Sequence, residues 1–271
     1  MLYIELSKPP LIEELISSIL ENKEMDVISM ISRPYVRSWL QYLLSVRDPL
    51  EIGLKITELY REELRNIGSL LPHKYAMYID TFFEFFIVDE IYASLYSKSR
   101  GITGPGTDEL RGYNSCITKD PFEIYTCVLE RIIRKINDHV TVLQGRRGKA
   151  LASAMTIAMS KYIRYLENEK KIGIVRQIVS SDFLKKRYEM FKEIDEYILW
   201  RCVNILEKTW EKYSSNPLFQ FINEAKEIYW FLKNELYYSN DLLSLLTFYL
   251  VTRYYEAYTL RYLVTRGLLK W

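Results

Sequence analysis

A chain of 271 residues with 37 Lys plus Arg against 35 Asp plus Glu, 49% hydrophobic and 14% aromatic, has too little net charge and too much apolar content to stay disordered. Its 10 Gly and 8 Pro exclude a collagen-like or low-complexity chain. The length suits one large domain or two smaller ones, with enough apolar residues for a sizeable core.

Taken in chain order, apolar residues recur at helical rather than alternating spacing, as at Leu11, Ile12, Leu15, Ile16, Ile19 and Leu20. Asp48-Pro49 sets a capping side chain directly before a proline, whose fixed φ and missing N–H suit a first helical turn. Pro72 opens a stretch that meets no further breaker until Arg100, where Gly101 supplies a stop. Gly101, Gly104, Pro105, Gly106 and Gly112 then make 101–120 one long loop, a linker or binding segment by its length. Helices resume at Pro121, pause at Gln144 to Gly148, and restart at Asn216-Pro217. No strand signal of any length is present, so the fold class is all-α. The expected organisation is a single elongated domain, with a first helical unit at 1–101, the loop at 102–120, a middle region at 121–186 and a last unit at 187–271.

Three cysteines, Cys116, Cys127 and Cys202, with no CxxC pair, point to a reducing compartment and against a disulfide-stapled scaffold. Cys127 and Cys202 read as small buried hydrophobes, and Cys116 in the loop as the thiol to test for reactivity. No signal peptide is visible. The longest apolar run, 242–251, is about half of the roughly 20 residues a membrane helix needs, and Arg253 follows it. Charge is uneven: residues 131–190 hold 14 Lys or Arg against 5 Asp or Glu, so +9, which leaves −7 for the rest of a chain whose net charge is +2. Such a basic middle offers either solvated helix faces or a docking patch for an acidic surface.

Aligning two helix ends at Gly101 and Gly267 reveals an internal similarity between 82–101 and 248–267. Phe82 matches Phe248, Glu90 matches Glu256, Tyr92 matches Tyr258, Tyr96 matches Tyr262, Arg100 matches Arg266 and Gly101 matches Gly267, without a gap. A third copy is only faintly visible around 154–173.

Three segments resemble the central-stalk connector of archaeal- and vacuolar-type rotary ATPases. They are the opening pair of apolar segments from Leu11 to Leu44, with Tyr35 near its end, the stretch Phe85 to Gly101, and the stretch Phe248 to Gly267 with its Arg253, Glu256, Leu260 and Arg261. The chain departs from the family pattern at Thr259, where the family carries Asn before the Leu-Arg pair, and it is shorter than typical members. The resemblance implies a funnel of three pseudo-repeated helical bundles that sits on the membrane rotor ring and receives the rotor shaft. It also implies a non-catalytic component without a cofactor or resident metal, placed peripherally on the cytoplasmic face of the membrane, that passes torque for ion transport. Asp89, Glu90, Arg100, Arg253, Glu256, Arg261 and Arg266 are its candidate partner-binding residues.

The residues themselves admit blander readings. Phe248, Val251, Tyr255, Tyr258 and Tyr262 have core spacing. Arg253, Glu256 and Arg261, on a helix crowded by apolar residues, must reach solvent, an internal ion-pair partner or a bound protein, and Asp89, Glu90 and Arg100 share that choice. Arg146, Arg147, Lys149, Lys161, Arg164, Lys170, Lys171, Arg176, Lys185, Lys186 and Arg187 motivate a rival function, a helical nucleic-acid binder stacking bases on Tyr162, Tyr165 and Tyr188, although no recognised motif supports it and no nucleic acid is expected for the connector. Enzyme signatures are missing: the GRRGK segment at 145–149 lacks phosphate-loop spacing, and His73 and His139 lack metal-ligand spacing. Asp138 and His139 are adjacent and so do not face each other on a helix.

Overall fold

The computed structural model describes residues 12–21, 25–26, 48–101, 108–118, 120–143, 147–168, 195–213, 217–265 and 269–270. The helices are α1 (Ile12–Leu20), α2 (Pro49–Ser69), α3 (His73–Phe83), α4 (Val88–Ser99), α5 (Pro121–Leu143), α6 (Arg147–Asn168), α7 (Glu196–Tyr213), α8 (Pro217–Leu232) and α9 (Leu242–Thr265). A 3-10 segment spans Asp108–Cys116 and a π-helical turn, Lys233–Tyr237, follows α8. Helix makes up 88% of the described residues, which places the protein in the all-α class. The extended pairing among the described residues is a two-residue parallel bridge of Met25–Asp26 with Leu269–Lys270, too short to form a layer.

Proline sets the helix starts as its chemistry requires. Pro49, Pro121 and Pro217 each open a helix, and Pro72 stands at the cap position before His73. Two further starts use carboxylate caps: Asp195 Oδ1 accepts the Ile198 amide at 3.1 Å, and Asp241 Oδ2 accepts the Ser244 amide at 3.0 Å. Gly101 ends α4 with φ 73°, the left-handed conformation glycine adopts without penalty.

Helix α9 is the core element. Every residue from 243 to 257 is buried, so it has no solvent stripe, which is the pattern of a helix surrounded on all sides. Helices α1, α2, α6 and α8 and the π-helical turn pack against it, while α5 joins α3, α4 and α6 at one side and α7 bridges α6 and α8. No described helix is long and apolar enough to cross a membrane.

Four sequence expectations change here. The stretch after Pro72 is two helices, because the chain tightens at Glu84 to Ile87 without a glycine or proline. Amides of Glu84, Phe85 and Phe86 bond carbonyls three residues back, and Phe82, Phe83, Phe85, Phe86 and Ile87 around this turn are all buried. The loop 101–120 contains the 3-10 segment, whose Asp, Asn, Ser and Gly content hides it from a periodicity reading. Cys116 and Cys127 form a disulfide with Cα atoms 5.6 Å apart, since the 3-10 segment folds back onto α5; this corrects the expectation of three free thiols. Finally, the two similar segments differ in conformation. The first is broken by the turn at Glu84 to Ile87, whereas the second runs inside continuous α9 as far as Thr265.

Candidate functional site

Charged and phenolic side chains collect in two networks along α9, one enclosed and one at a rim. The enclosed network centres on Arg253 and Glu256, three residues apart and therefore on one face of the helix. Arg253 Nη1 donates to Glu256 Oε2 at 2.6 Å and its Nε donates to Glu63 Oε1 of α2 at 3.0 Å. Tyr60 donates to Glu256 Oε2 at 3.2 Å, the Ile12 amide donates to Glu256 Oε1 at 3.1 Å, and the Tyr249 hydroxyl donates to Glu63. The guanidinium also lies over the Tyr249 ring, 4.7 Å from its centroid. Relative exposure is 1% for Arg253 and 0% for Glu256. Burial disfavours the Arg253 charge, but Glu256 and Glu63 outweigh it and raise its pKa, so the guanidinium stays charged. Burial pushes Glu256 above the ordinary carboxylate range, with Arg253 pulling it back. The arrangement is a paired internal charge cluster, which bears on packing rather than chemistry.

The rim network is built from four helices. Asp89, in the first turn of α4, receives the Tyr258 hydroxyl of α9 at 2.7 Å on Oδ2 and the Tyr125 hydroxyl of α5 at 3.2 Å on Oδ1. Lys161 of α6 donates to the Tyr258 hydroxyl and lies 3.4 Å from Asp89 Oδ2, with its ammonium over the rings of Tyr258 at 4.1 Å and Tyr254 at 5.2 Å. The Phe86 carbonyl, in the turn before α4, lies 3.2 Å from the same hydroxyl. Beside this, Arg261 Nη2 is 3.0 Å from Glu90 Oε1, an ion pair, and its guanidinium lies 5.5 Å from the Tyr258 ring centroid. Burial raises Tyr258 well above a normal phenol, reinforced by Asp89, so the hydroxyl keeps its proton. Burial acts against the Arg261 charge, yet Tyr258, Glu90 and Asp89 raise its pKa overall. The Asp89 side chain is 50% exposed, so the network has one face in the core and one in water.

The seven candidate residues therefore part company. Asp89, Glu90 and Arg261 meet at the rim. Arg253 and Glu256 are enclosed, because the turn-by-turn burial of α9 turns them towards each other, Glu63 and Tyr60, the internal pairing that the sequence left open beside a partner contact. Arg100 sits at the far end of α4, bonded to Tyr96 of its own helix at 3.0 Å. Arg266 lies outside the described residues, as do Tyr35 and the basic positions 170–187. Of the basic middle, Lys161 is 3% exposed and belongs to the rim network, and Lys149 pairs with Glu235 at 3.4 Å, so neither is a solvated cation of a docking face.

Sequence reasoning missed the roles of Lys161, Tyr125 and Tyr258. A signal for Lys161 was present: it continues the buried row Ala150, Ala154, Ile157 at helical spacing, where a lone cation needs an internal partner. Among the described residues no group of three or more His, Cys, Asp or Glu side chains is placed to hold a metal ion. Comparison with protein-family models, with curated proteins and with solved structures found no match for this chain.

Proposed function

We propose that this chain is a non-catalytic helical connector of an archaeal-type rotary ATPase, docking rotor components through the charged rim of Asp89, Glu90 and Arg261. The observation that supports this reading is the rim itself: an Asp89 carboxylate with half of its side chain in water, braced from behind by Lys161, Tyr125 and Tyr258 on three other helices, beside the Arg261–Glu90 ion pair. A mechanical coupling protein needs charged contacts that do not yield when pulled, and anchoring Asp89 to the core supplies that stiffness. The enclosed Arg253–Glu256–Glu63 cluster ties α1, α2 and α9 together beneath it.

The test is affinity purification of the tagged protein from detergent-solubilised membranes after nuclease treatment. Recovery of the rotor-shaft and rotor-ring proteins is the expected result. The paired reversal Glu90→Lys with Arg261→Glu keeps an internal ion pair while inverting the charge pattern beside the exposed Asp89 carboxylate, so recovery should fall about tenfold at unchanged helical circular dichroism, a loss typical of an opposed interfacial charge. Purification of nuclease-sensitive polynucleotide complexes with no ATPase component overturns the proposal.

A further inference from the structure

The 3-10 segment Asp108–Cys116 lies against α4 and α5 on a small set of contacts. Tyr113 is its buried aromatic anchor, with its hydroxyl donating to Glu84 and its ring 4.6 Å from the Lys135 ammonium. Lys135 in turn binds Glu84 Oε1 at 2.8 Å. Lys135 also donates to the Tyr113 hydroxyl at 3.2 Å, while at the surface Arg131 donates to the Gly112 carbonyl and the Ser115 hydroxyl, and Lys98 donates to Asn114 Oδ1 at 3.0 Å. A 3-10 run of nine residues has poor hydrogen-bond geometry and little intrinsic persistence. Its C-terminal residue, Cys116, is joined covalently to Cys127 on α5, eleven positions along the chain.

We propose that the Cys116–Cys127 disulfide is a redox-operated clasp, which holds the segment over the Glu84–Lys135 pair when oxidised and releases it when reduced by a dithiol. Cys116 is 1% exposed and Cys127 is half-buried, so Cys127 is the side of the bond nearer to solvent and its sulfur the one the proposal has a reductant attack. A thiolate of the dithiol attacks that sulfur, the Cys116–Cys127 bond breaks, and Cys116 leaves as a thiolate that takes a proton. The second thiol of the reductant then attacks the mixed disulfide, Cys127 leaves and is protonated, and the dithiol ends as a disulfide. Two electrons and two protons pass to the protein. Cys202 is fully buried on α7 and takes no part.

Release has a route to the rim. Glu84, which the segment engages through Tyr113, begins the turn that contains the Phe86 carbonyl facing Tyr258 and leads into Asp89. The clasp does not depend on what the rim binds, and its test reads the chain alone.

The experiment is hydrogen exchange of the full chain by mass spectrometry, with and without dithiothreitol in native buffer, alongside thiol counting by alkylation. Three results are expected together. The air-oxidised protein shows one alkylatable thiol in denaturant and three after native reduction. Exchange across 108–118 rises about tenfold or more on reduction, while α9 is unchanged. The Cys116→Ser, Cys127→Ser variant exchanges like reduced wild type and ignores dithiothreitol. Three thiols before reduction, resistance to dithiothreitol until the protein unfolds, unchanged exchange after reduction, or exchange that rises in α9 as well would each overturn the clasp; should the variant fail to fold, the reduced wild type decides alone.

Discussion

Glu256 accepts a hydrogen bond at 3.1 Å from the backbone amide of Ile12, 244 positions away in the chain. Ile12 is the first residue of α1, whose opening amides have no partner inside their own helix. A buried carboxylate on the central helix therefore serves as a remote cap, with its negative charge at the positive end of the α1 dipole. Its other oxygen takes Tyr60 and Arg253, so one side chain joins α1, α2 and α9.

Truncating this carboxylate should be severe. Glu256→Ala leaves the Ile12 amide and the Tyr60 hydroxyl without their acceptor and removes one of the two carboxylates facing Arg253 at 1% exposure. Breaking a buried pair from one side costs about 3–5 kcal/mol. Urea unfolding should show that loss for Glu256→Ala and a comparable one for Arg253→Ala, with the double variant losing clearly less than their sum. Additive losses would mean that the two side chains act independently.

At the rim, Tyr258 should matter more than Tyr125, although both hydroxyls reach Asp89. The Tyr258 hydroxyl also receives Lys161, a cation with 2% side-chain exposure, so Tyr258→Phe strips a buried charge of a partner. The expected cost is about 1–3 kcal/mol for Tyr258→Phe, against about 1 kcal/mol or less for Tyr125→Phe, whose acceptor is half in water. Thermal unfolding of the two variants side by side checks the order.

Cys202 makes the protein sensitive to alkali. Burial raises its thiol from 9.0 to about 12, against a weak opposing bond to Thr156. The folded state therefore keeps a proton that the unfolded chain releases, so this stability is intact below pH 9 and drains away as pH rises towards 12. The total is on the order of 4 kcal/mol. Cys202→Ala should flatten the stability profile of wild type between those limits, measured by denaturant titration at successive pH values; an equally steep profile would place the loss in other groups, such as the buried tyrosines.

Gly101 should resist substitution where Gly112 does not. Gly101 has φ 73° with open space around an added Cβ, so Gly101→Ala is penalised by backbone conformation alone, at about 1–2 kcal/mol. At Gly112 an added Cβ meets the flexible Lys135 ammonium at 3.6 Å, and Gly112→Ala should be nearly neutral. A shift in melting temperature for the first variant only is the expected pattern.

Local chemistry is what the sequence by itself determined: the all-α class, the helix starts at Pro49, Pro121 and Pro217 with Pro72 before His73, the stop at Gly101, and the core spacing of Phe248, Val251 and Tyr255. Each of these follows from a φ restriction, a missing N–H or a periodicity, all properties of neighbours in the chain. The interruption after Phe83, the Cys116–Cys127 bond, the enclosure of Arg253 and Glu256 and the recruitment of Lys161 were decided by tertiary structure. In each case the deciding partner lies on another element or the decision is how many faces of a helix are covered, and a spacing pattern carries neither quantity. Arg253 illustrates the difference: its place on an apolar helix required some partner, and only the packing of α2 against α9 made that partner Glu63 rather than solvent or another protein.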